Sequence, residues 1–544
     1  RSTAIGRGAL ATQNFSTSTN AYNVGVGYDA GVSLTTGVEN TLIGSLAGDA
    51  LTDADFNIAI GWGALGADTK GNKSVAIGTG ALDAQNFTTS TDTHNTAVGH
   101  GAGGAATTGR YNTLIGSEAG DALLTGSLNV AVGYGALSSE DGDSYNVAVG
   151  VHALENLNAG ASAYNTAVGY QAGHSCTTGI YNTIVGGDSG ESFTVGSNNV
   201  AIGNGALHAD THGSKSTAVG AFALFDQLNN TATDVYNTAV GYHAGFELTS
   251  GQGCTIIGAL AGDALTSGNF NQFFGYGAGG ACTVGTHNVA VGRSALLLNV
   301  GGNKNVAVGD NALGQMTRAT SDDAVNTAVG YLAGYSITSG GGNTLIGHDA
   351  GRGGTNDLTT GSNNTLIGRE TGVSATGASG QNVLGRAVVS NGDNTFTFGI
   401  DTSDSVISAG GTSISAPSDE RYKEEITTST AGLSFINDLR PVTFKWKKQK
   451  DIPSDHRSYV EGSDTRVMLS NGETNHGFIA QEVKTAIDAH SELKDGFKMW
   501  SSDPIDGRQR VAEGSLIPIL TKAIQELSTK LTALEARIAT LEGG

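Results

Sequence analysis

Proline is almost missing from this chain: 5 of 544 residues, none before Pro417. Every backbone N–H upstream of that point is therefore available to a hydrogen-bond ladder. Charge is thin as well, at 15% of residues, where an ordinary soluble domain carries roughly 25%. Aromatics are few, with 16 Phe, 15 Tyr and 3 Trp. That scarcity argues against the roughly three or four conventional cores that the length alone suggests. No apolar run approaches the roughly 18 residues of a membrane span, so no membrane insertion is expected. Three cysteines, Cys176, Cys254 and Cys282, form no CxxC pair and no metal-ligand spacing with His. An odd count excludes a fully paired disulfide framework within one chain. They read as small buried fillers or as contacts between copies. No metal and no cofactor is expected.

Glycine is what the chain has in excess: 83 residues, about twice the usual ~7% share. Collagen is excluded, because Gly has no three-residue period and Pro is scarce. Disorder fits poorly, since 38% of residues are hydrophobic and Val and Ile recur in ordered positions. The net charge of −21 divides unevenly, with 12 basic and 30 acidic residues in 1–417 but 17 and 20 in 418–544. The first part offers no basic stripe for phosphates, so nucleic acid is not an expected partner. The chain opens at Arg1 without Met or a signal pattern and reads as a processed or truncated piece.

A short phrase, Asn-Thr/Val-Ala/Leu-Val/Ile-Gly, recurs through most of the chain. Its first residues run Asn23, Asn40, Asn57, Ser74, Asn95 and onward to Asn343, Asn364 and Asn382, with a partial copy at Ser2. From Asn23 to Asn382 the intervals are 14 of 17 residues, four of 21, one of 19 and one of 18. So short a period cannot hold two helices and a turn. Two short strands and two turns fit, which is one coil of a β-solenoid. Each phrase is a β-prone run ending in Gly, and most coils carry a second turn such as Thr108-Gly109. Apolar residues fall on consecutive positions, as in Val75-Ala76-Ile77, and consecutive strand residues face opposite sides. One side fills the coil; the other needs a partner, and neighbouring copies of the chain are the simplest one. The leading Asn has two readings, a stacked amide ladder or a residue that merely tolerates the turn.

Longer intervals precede Asn23, Asn95, Asn165, Asn237 and Asn326, about four coils apart. The extra residues lie in Gln13–Tyr22, Gln85–His94, Asn156–Tyr164, Gln227–Tyr236 and Gln315–Val325. Rich in Ser, Thr, Asn and Asp, they read as loops projecting from a rigid stem. Such loops can touch a glycan or receptor, interlock neighbouring chains, or decorate the surface. About 21 coils at the ~4.8 Å strand spacing give a straight shaft of roughly 100 Å. "SVAIGTGAL" (Ser74–Leu82) and "NVAVGYGAL" (Asn129–Leu137) resemble the repeats in the heads of trimeric autotransporter adhesins. Those heads are left-handed parallel β-rolls with three chains side by side. The resemblance implies a trimeric shaft over most of 1–400.

From residue 417 onward the character changes: all five Pro, two of three Trp and 17 of 29 basic residues lie there, but 9 of 83 Gly. This reads as a separate, conventionally packed domain. It ends in a heptad seam, Leu520, Ile524, Leu527, Leu531, Leu534, Ile538 and Leu541. With Ile at a and Leu at d, Lys530 and Glu535, like Arg537 and Glu542, fall across a parallel interface. The alternative is an amphipathic helix folded back on its own domain. Ile at a with Leu at d is a dimer pattern, so the seam alone does not specify three strands.

The runs "SDERYKEEI" (Ser418–Ile426), "LRPVTFKW" (Leu439–Trp446) and "HGFIAQEV" (His476–Val483), followed by the final helix, resemble the C-terminal intramolecular chaperone domain of phage tailspike endosialidases and many tail fibres. Members assemble a trimeric fibre and then cut themselves off with a Ser-Lys dyad at the bond before the Ser. The resemblance implies Ser418 as nucleophile, Lys423 as base and a cut between Pro417 and Ser418. Gln481 and Glu482 either support that site or pack the core. A Ser hydroxyl needs a base, and Lys serves when burial or nearby cations lower its pKa. Five residues apart is some 140° off alignment on a helix, so the two meet only if the chain bends or another chain contributes. Read without the resemblance, the same run is a helix start with Ser418 as N-cap.

The expected fold is mainly β: a trimeric parallel β-solenoid shaft of 17-residue coils (1–400) and a linker (401–417), then a small α+β chaperone and autoprotease domain (418–511) and a coiled-coil helix (512–544). The expected function is a structural, host-recognising phage tail fibre, extracellular on the virion and assembled in the host cytoplasm. Its expected partners are two further copies, other virion or tail proteins at the N-terminal side, and a host surface glycan or protein. A polysaccharide-degrading tailspike is the alternative, but that chemistry needs paired carboxylates in a cleft lined by sugar-stacking aromatics. The acidic residues here are scattered, and Trp62 is the only Trp before residue 446. A bacterial surface adhesin is a third reading, and ice binding by Thr arrays a distant fourth.

Overall fold

In the computed structural model the chain separates into two compact units, 1–417 and 418–544. Residues 1–543 are described, except 140, 161, 411–413, 416–417, 457, 468–471, 495 and 504–506. Pro417, the residue expected upstream of a cut, therefore lies outside the described residues.

The first unit is a parallel β-solenoid of about 23 turns. Each coil contributes a three-residue strand, and Val24–Val26, Thr41–Ile43, Ile58–Ile60 and Val75–Ile77 pair in register with the next. Among the described residues the sheet holds 24 strands. Of the segment 401–417, Ser403–Ser408 forms a strand antiparallel to Thr395–Ile400 and closes the ladder. Two strands per coil were expected, and most coils have one. The return path is still bonded rung to rung, as where Thr35 N–H donates to the Thr52 carbonyl at 2.7 Å. It is not extended, because each coil places several residues in the left-handed region, Leu46 and Gly48 among them.

From Val24–Val26 to Thr365–Ile367 the middle residue of each three-residue strand points into the coil and is buried, Leu42, Ala59, Ala76 and Leu114 completely. Here the four-coil period reappears as packing. Leu42, Leu114, Ile184 and Ile256 are large inner residues four coils apart, with Phe273, Leu345 and Leu366 following outside that period. Glycines make room: a Cβ on Gly31 would lie 2.5 Å from Leu42 Cδ1, and one on Gly103 2.6 Å from Leu114 Cδ1. Between them the strands carry Ala59 and Ala76, and the same corner is filled by buried Leu65 and Leu82. Large against small and small against large keeps the interior at constant density. Cys176, Cys254 and Cys282 are wholly buried fillers of this interior. Burial pushes their thiols up, to about 12, about 11 and about 12.

The leading asparagines form the amide ladder. Asn23 Oδ1 accepts the Asn40 N–H at 2.9 Å, and Asn40 Oδ1 that of Asn57 at 2.9 Å. Most Nδ2 groups donate to a carbonyl fourteen residues on, as Asn57 does to Gly71 at 2.9 Å, but Asn343 reaches Gly361, eighteen residues on, and Asn305 turns back to Asn288 Oδ1. None of the ladder asparagines has a positive φ. The left-handed residue is the one before, Tyr22, Glu39 or Phe56, so turn tolerance is not what selects Asn. At the end of the ladder the position belongs to Gln381, whose N–H donates to Asn364 Oδ1 at 2.9 Å. Asn382 is a strand residue opposite Thr365, so the last interval is 17, not 18.

The inserts have exposed tips but anchored bases. Thr91–Asp92 pairs with Gly71–Asn72 and Thr233–Asp234 with Gly213–Ser214, and Ser162 and Asp323 bridge back to Ser144 and Asn303. Inside two of them the same buried network recurs. Gln85 Nε2 donates to Asp68 at 2.6 Å and to Ser74 at 2.9 Å while its Oε1 accepts from Asn95 at 2.8 Å. Gln227 repeats this with Asp210, Ser216 and Asn237. Ser replaces Asn in the ladder at these two coils because the Gln amide fills the space.

The second unit is small and mixed α+β. It contains α1 (Leu433–Asp438), α2 (Ala480–Ala489), α3 (Ile517–Glu542) and two short antiparallel pairs. Its core gathers Phe435, Val483, Ile487, Met499, Leu516 and Ile519. The N-terminus of α1 has no side-chain cap of its own, and Glu526 of α3 accepts the Leu433 N–H at 3.0 Å, satisfying an orphan donor with a negative charge.

Candidate functional site

Ser418 and Lys423 stand at the start of the second unit. Asp419 caps a single 3-10 turn, Glu420–Tyr422, by accepting the Arg421 N–H at 2.9 Å. The cap is thus Asp419 and not Ser418, which leaves the Ser418 hydroxyl free for other work. The turn closes when Lys423 N–H donates to the Glu420 carbonyl at 3.0 Å, and Lys423 itself is extended. A tight turn between extended residues doubles the chain back, and Lys423 Nζ reaches Ser418 Oγ at 2.7 Å. The bend that the five-residue spacing required is present within one chain.

The Arg421 guanidinium grips the Asp419 carboxylate at 2.6 Å, holding that carboxyl below its ordinary range and the guanidinium above its own. This pair fixes the turn and keeps Asp419 from competing for Lys423. Both dyad residues are exposed, as is the apolar Ile426 beyond them. A lysine works as a base in its neutral form, which burial favours. The arrangement places a serine hydroxyl in contact with a lysine amine, on a surface still open to water.

Neither Gln481 nor Glu482 packs the core: Gln481 is exposed, and Glu482 forms an ion pair with Arg440, Oε2 accepting from Nε at 3.0 Å. That partner lowers the Glu482 pKa. Among the described residues neither is hydrogen-bonded to Ser418 or Lys423. The buried face of α2 is Val483, Ala486 and Ile487. The runs around Val442 and His476 are neighbours, because Val442–Phe444 pairs antiparallel with Asn475–Gly477. Beside them lies an open groove of about 420 Å³ whose lining includes Phe478 and Glu513. Sequence inspection missed His490, which joins α1 to the end of α2: Nε2 lies 2.8 Å from Asp438 and Nδ1 3.1 Å from Glu492.

The heptad seam is unpartnered. The early turns of α3 bury Ile519 and Ala523 in the unit's own core. The seam lies on a different face: Leu520 is 41% exposed, Ile524 65%, Leu531 58% and Leu541 75%. Every described residue from Leu527 on is exposed. A fold-back helix would have covered this seam.

With that geometry in place, residues 418–491 match the family model described as chaperone of endosialidase. The match begins at the dyad serine and covers well under half of the chain. No curated protein and no solved structure matches. This match over 418–491, combined with a long parallel β-solenoid, fits an endosialidase-type tail fibre.

Proposed function

We propose that this chain is one subunit of a homotrimeric phage tail fibre, assembled in the host cytoplasm by its C-terminal unit and then cut before Ser418. The observation that carries the reading is the bare seam of α3. Each Leu or Ile covered by a second helix contributes about 1.5–3 kcal/mol, so seven such residues are a strong drive to associate. The solenoid supports it independently. The third strand residue of each coil faces outward as a column that is aliphatic except at Phe274, with Ile43, Ile115, Ile202 and Ile346 between 36% and 39% exposed. A column of that length on one face is what a neighbouring copy covers.

In the cut, Lys423 takes the Ser418 hydroxyl proton as Oγ bonds to the carbonyl carbon of residue 417. The C–N bond then breaks, the proton passes to the Ser418 amine, and water hydrolyses the resulting ester to a carboxylate and the regenerated hydroxyl. Assembly turns the reaction on by covering Lys423, which couples release of the chaperone to completion of the trimer. The solenoid left behind is the part that meets the host. Intact mass of purified trimers tests the reading: a fragment beginning at Ser418 is expected, and full-length chain persisting in well-formed trimers would remove the protease step.

A further inference from the structure

The residue after each phrase Gly sits at a corner of the coil, and its carbonyl accepts an N–H from the next coil, as Tyr28 does from Leu46 and Trp62 from Gly80. These corners stack in register. Their side chains follow a two-coil alternation that runs from Tyr28 to Tyr276. Large planar groups occupy every second coil: Tyr28, Trp62, Tyr134, Tyr170, Tyr242 and Tyr276, with His100 and Asn204 completing the series. The coils between them carry Ser45, Thr79, Ser117, Val151, Gly187, Ala221 and Ala259. The six large aromatics are 46% to 58% exposed.

The alternation leaves the rings of Trp62, Tyr170 and Tyr276 open, whereas Arg7 lies over Tyr28 at 5.5 Å and His152 and His243 pack on Tyr134 and Tyr242, with centroids 5.2 and 4.1 Å apart. At the preceding corner, where aromatics occur on consecutive coils, they cover one another: Tyr145, Tyr164 and Tyr181 stack with centroids 4.8 and 5.5 Å apart. Among the described residues Trp62, Tyr170 and Tyr276 have no ring partner. Two coils span about 9.5 Å, a distance that two sugar rings of a flat, extended polysaccharide also cover. The apolar face of a pyranose lies well on the negative face of an aromatic ring.

We infer that this column binds an extended, neutral, β-1,4-linked polysaccharide lying along the solenoid, with alternate sugars stacked on Tyr28, Trp62, Tyr134, Tyr170, Tyr242 and Tyr276. Neutrality follows from charge, since 30 acidic residues against 12 basic ones in 1–417 repel an anionic glycan. The corner is distinct from the face assigned to subunit contact. The outward strand column is aliphatic except at Phe274, whereas the corner column goes on to carry the exposed ion pair of Arg293 with Asp310 at 3.0 Å. This inference rests on the host-recognition part of the proposed function and names its ligand class.

Cello-oligosaccharides of two to eight sugars are titrated into the full-length chain, with its particle mass measured by light scattering in the same sample. Affinity is expected to rise in steps, one for each added pair of sugars. Trp62→Ala and Tyr170→Ala each weaken octasaccharide binding about tenfold. Ser117→Tyr, which closes the gap between His100 and Tyr134, weakens it as well, and Tyr164→Ala at the stacked corner leaves it unchanged. Trimers that bind no octasaccharide, or bind it independently of Trp62 and Tyr170, overturn the inference and leave the fibre reading standing. Preference for polysialic acid over the neutral series overturns it too. Monomers that bind with the stated dependence keep it and remove the trimer.

Discussion

The two units of this chain solve the burial problem in opposite ways. In the solenoid the coils bury their inner residues, and the partner of each lies one coil away, so one local solution is repeated about 23 times. The C-terminal unit gathers a small core from segments far apart, such as Phe435, Val483 and Ile519. It then extends a helix whose described residues from Leu527 on are all exposed within the unit. The solenoid is finished inside and unfinished along one face; the second unit is unfinished along one helix. A repeat can add coils indefinitely, yet nothing in it counts subunits or sets where neighbouring copies align. A short heptad seam can do both. That difference is a physical reason for attaching a separable assembly unit to a repetitive one.

The largest effect separates the units at the seam. Leu527→Asp with Leu534→Asp, or removal of 418–544, is expected to abolish trimers. The solenoid fragment should aggregate through its uncovered aliphatic face and strand edges. Analytical ultracentrifugation reads this directly, and a fragment 1–417 that forms trimers unaided would make the comparison wrong. Next, Ser418→Ala or Lys423→Ala is expected to slow the cut by at least about 10³-fold while leaving the trimer intact. Glu482→Ala should leave the rate unchanged, since Glu482 is engaged with Arg440. Mass spectrometry of timed samples distinguishes them.

Within the solenoid, Gly61→Ala should destabilise its coil by about 3 kcal/mol or more. Its φ is +134°, and a Cβ there would lie 2.4 Å from the Gly78 carbonyl oxygen. Gly80→Ala, at φ +65° with open space around it, should cost about 1 kcal/mol. Asn129→Ala removes the acceptor for the Asn146 N–H and the donor to the Asp143 carbonyl. It should cost about 2–3 kcal/mol, read as faster local hydrogen exchange in the two adjoining coils and not as global unfolding. The smallest effect is in the C-terminal unit. Hydrogen bonds to Asp438 and then Glu492 raise the His490 pKa against the opposing effect of burial. The folded state therefore holds the proton more tightly. Its stabilisation is complete below the ordinary His value and fades as pH rises through the raised one. Denaturation of the released fragment should show this pH dependence, and His490→Gln should flatten it.

The sequence by itself determined the period, the solenoid and the change of character at 417, because each is written in local order, whereas Ser418 and Lys423 were singled out only by the family resemblance of the run around them. A 17-residue interval fixes which residues stack whatever the exact path, and an aliphatic residue every three or four positions fixes a seam. What tertiary structure decided is what depends on direction. The ladder role of Asn23 and its successors became clear only when the positive φ fell on the residue before. Gln381 took the last rung from Asn382 because register follows hydrogen bonds and not residue type. The pairing of Leu42 with Gly31 needed two corners of different coils to meet. Ser418 and Lys423 touch because Asp419, and not Ser418, caps the intervening turn, a choice set by the Arg421 pair. Gln481 and Glu482 were ambiguous in sequence because a helix face is defined by what packs on it, and here Val483, Ala486 and Ile487 claimed the core.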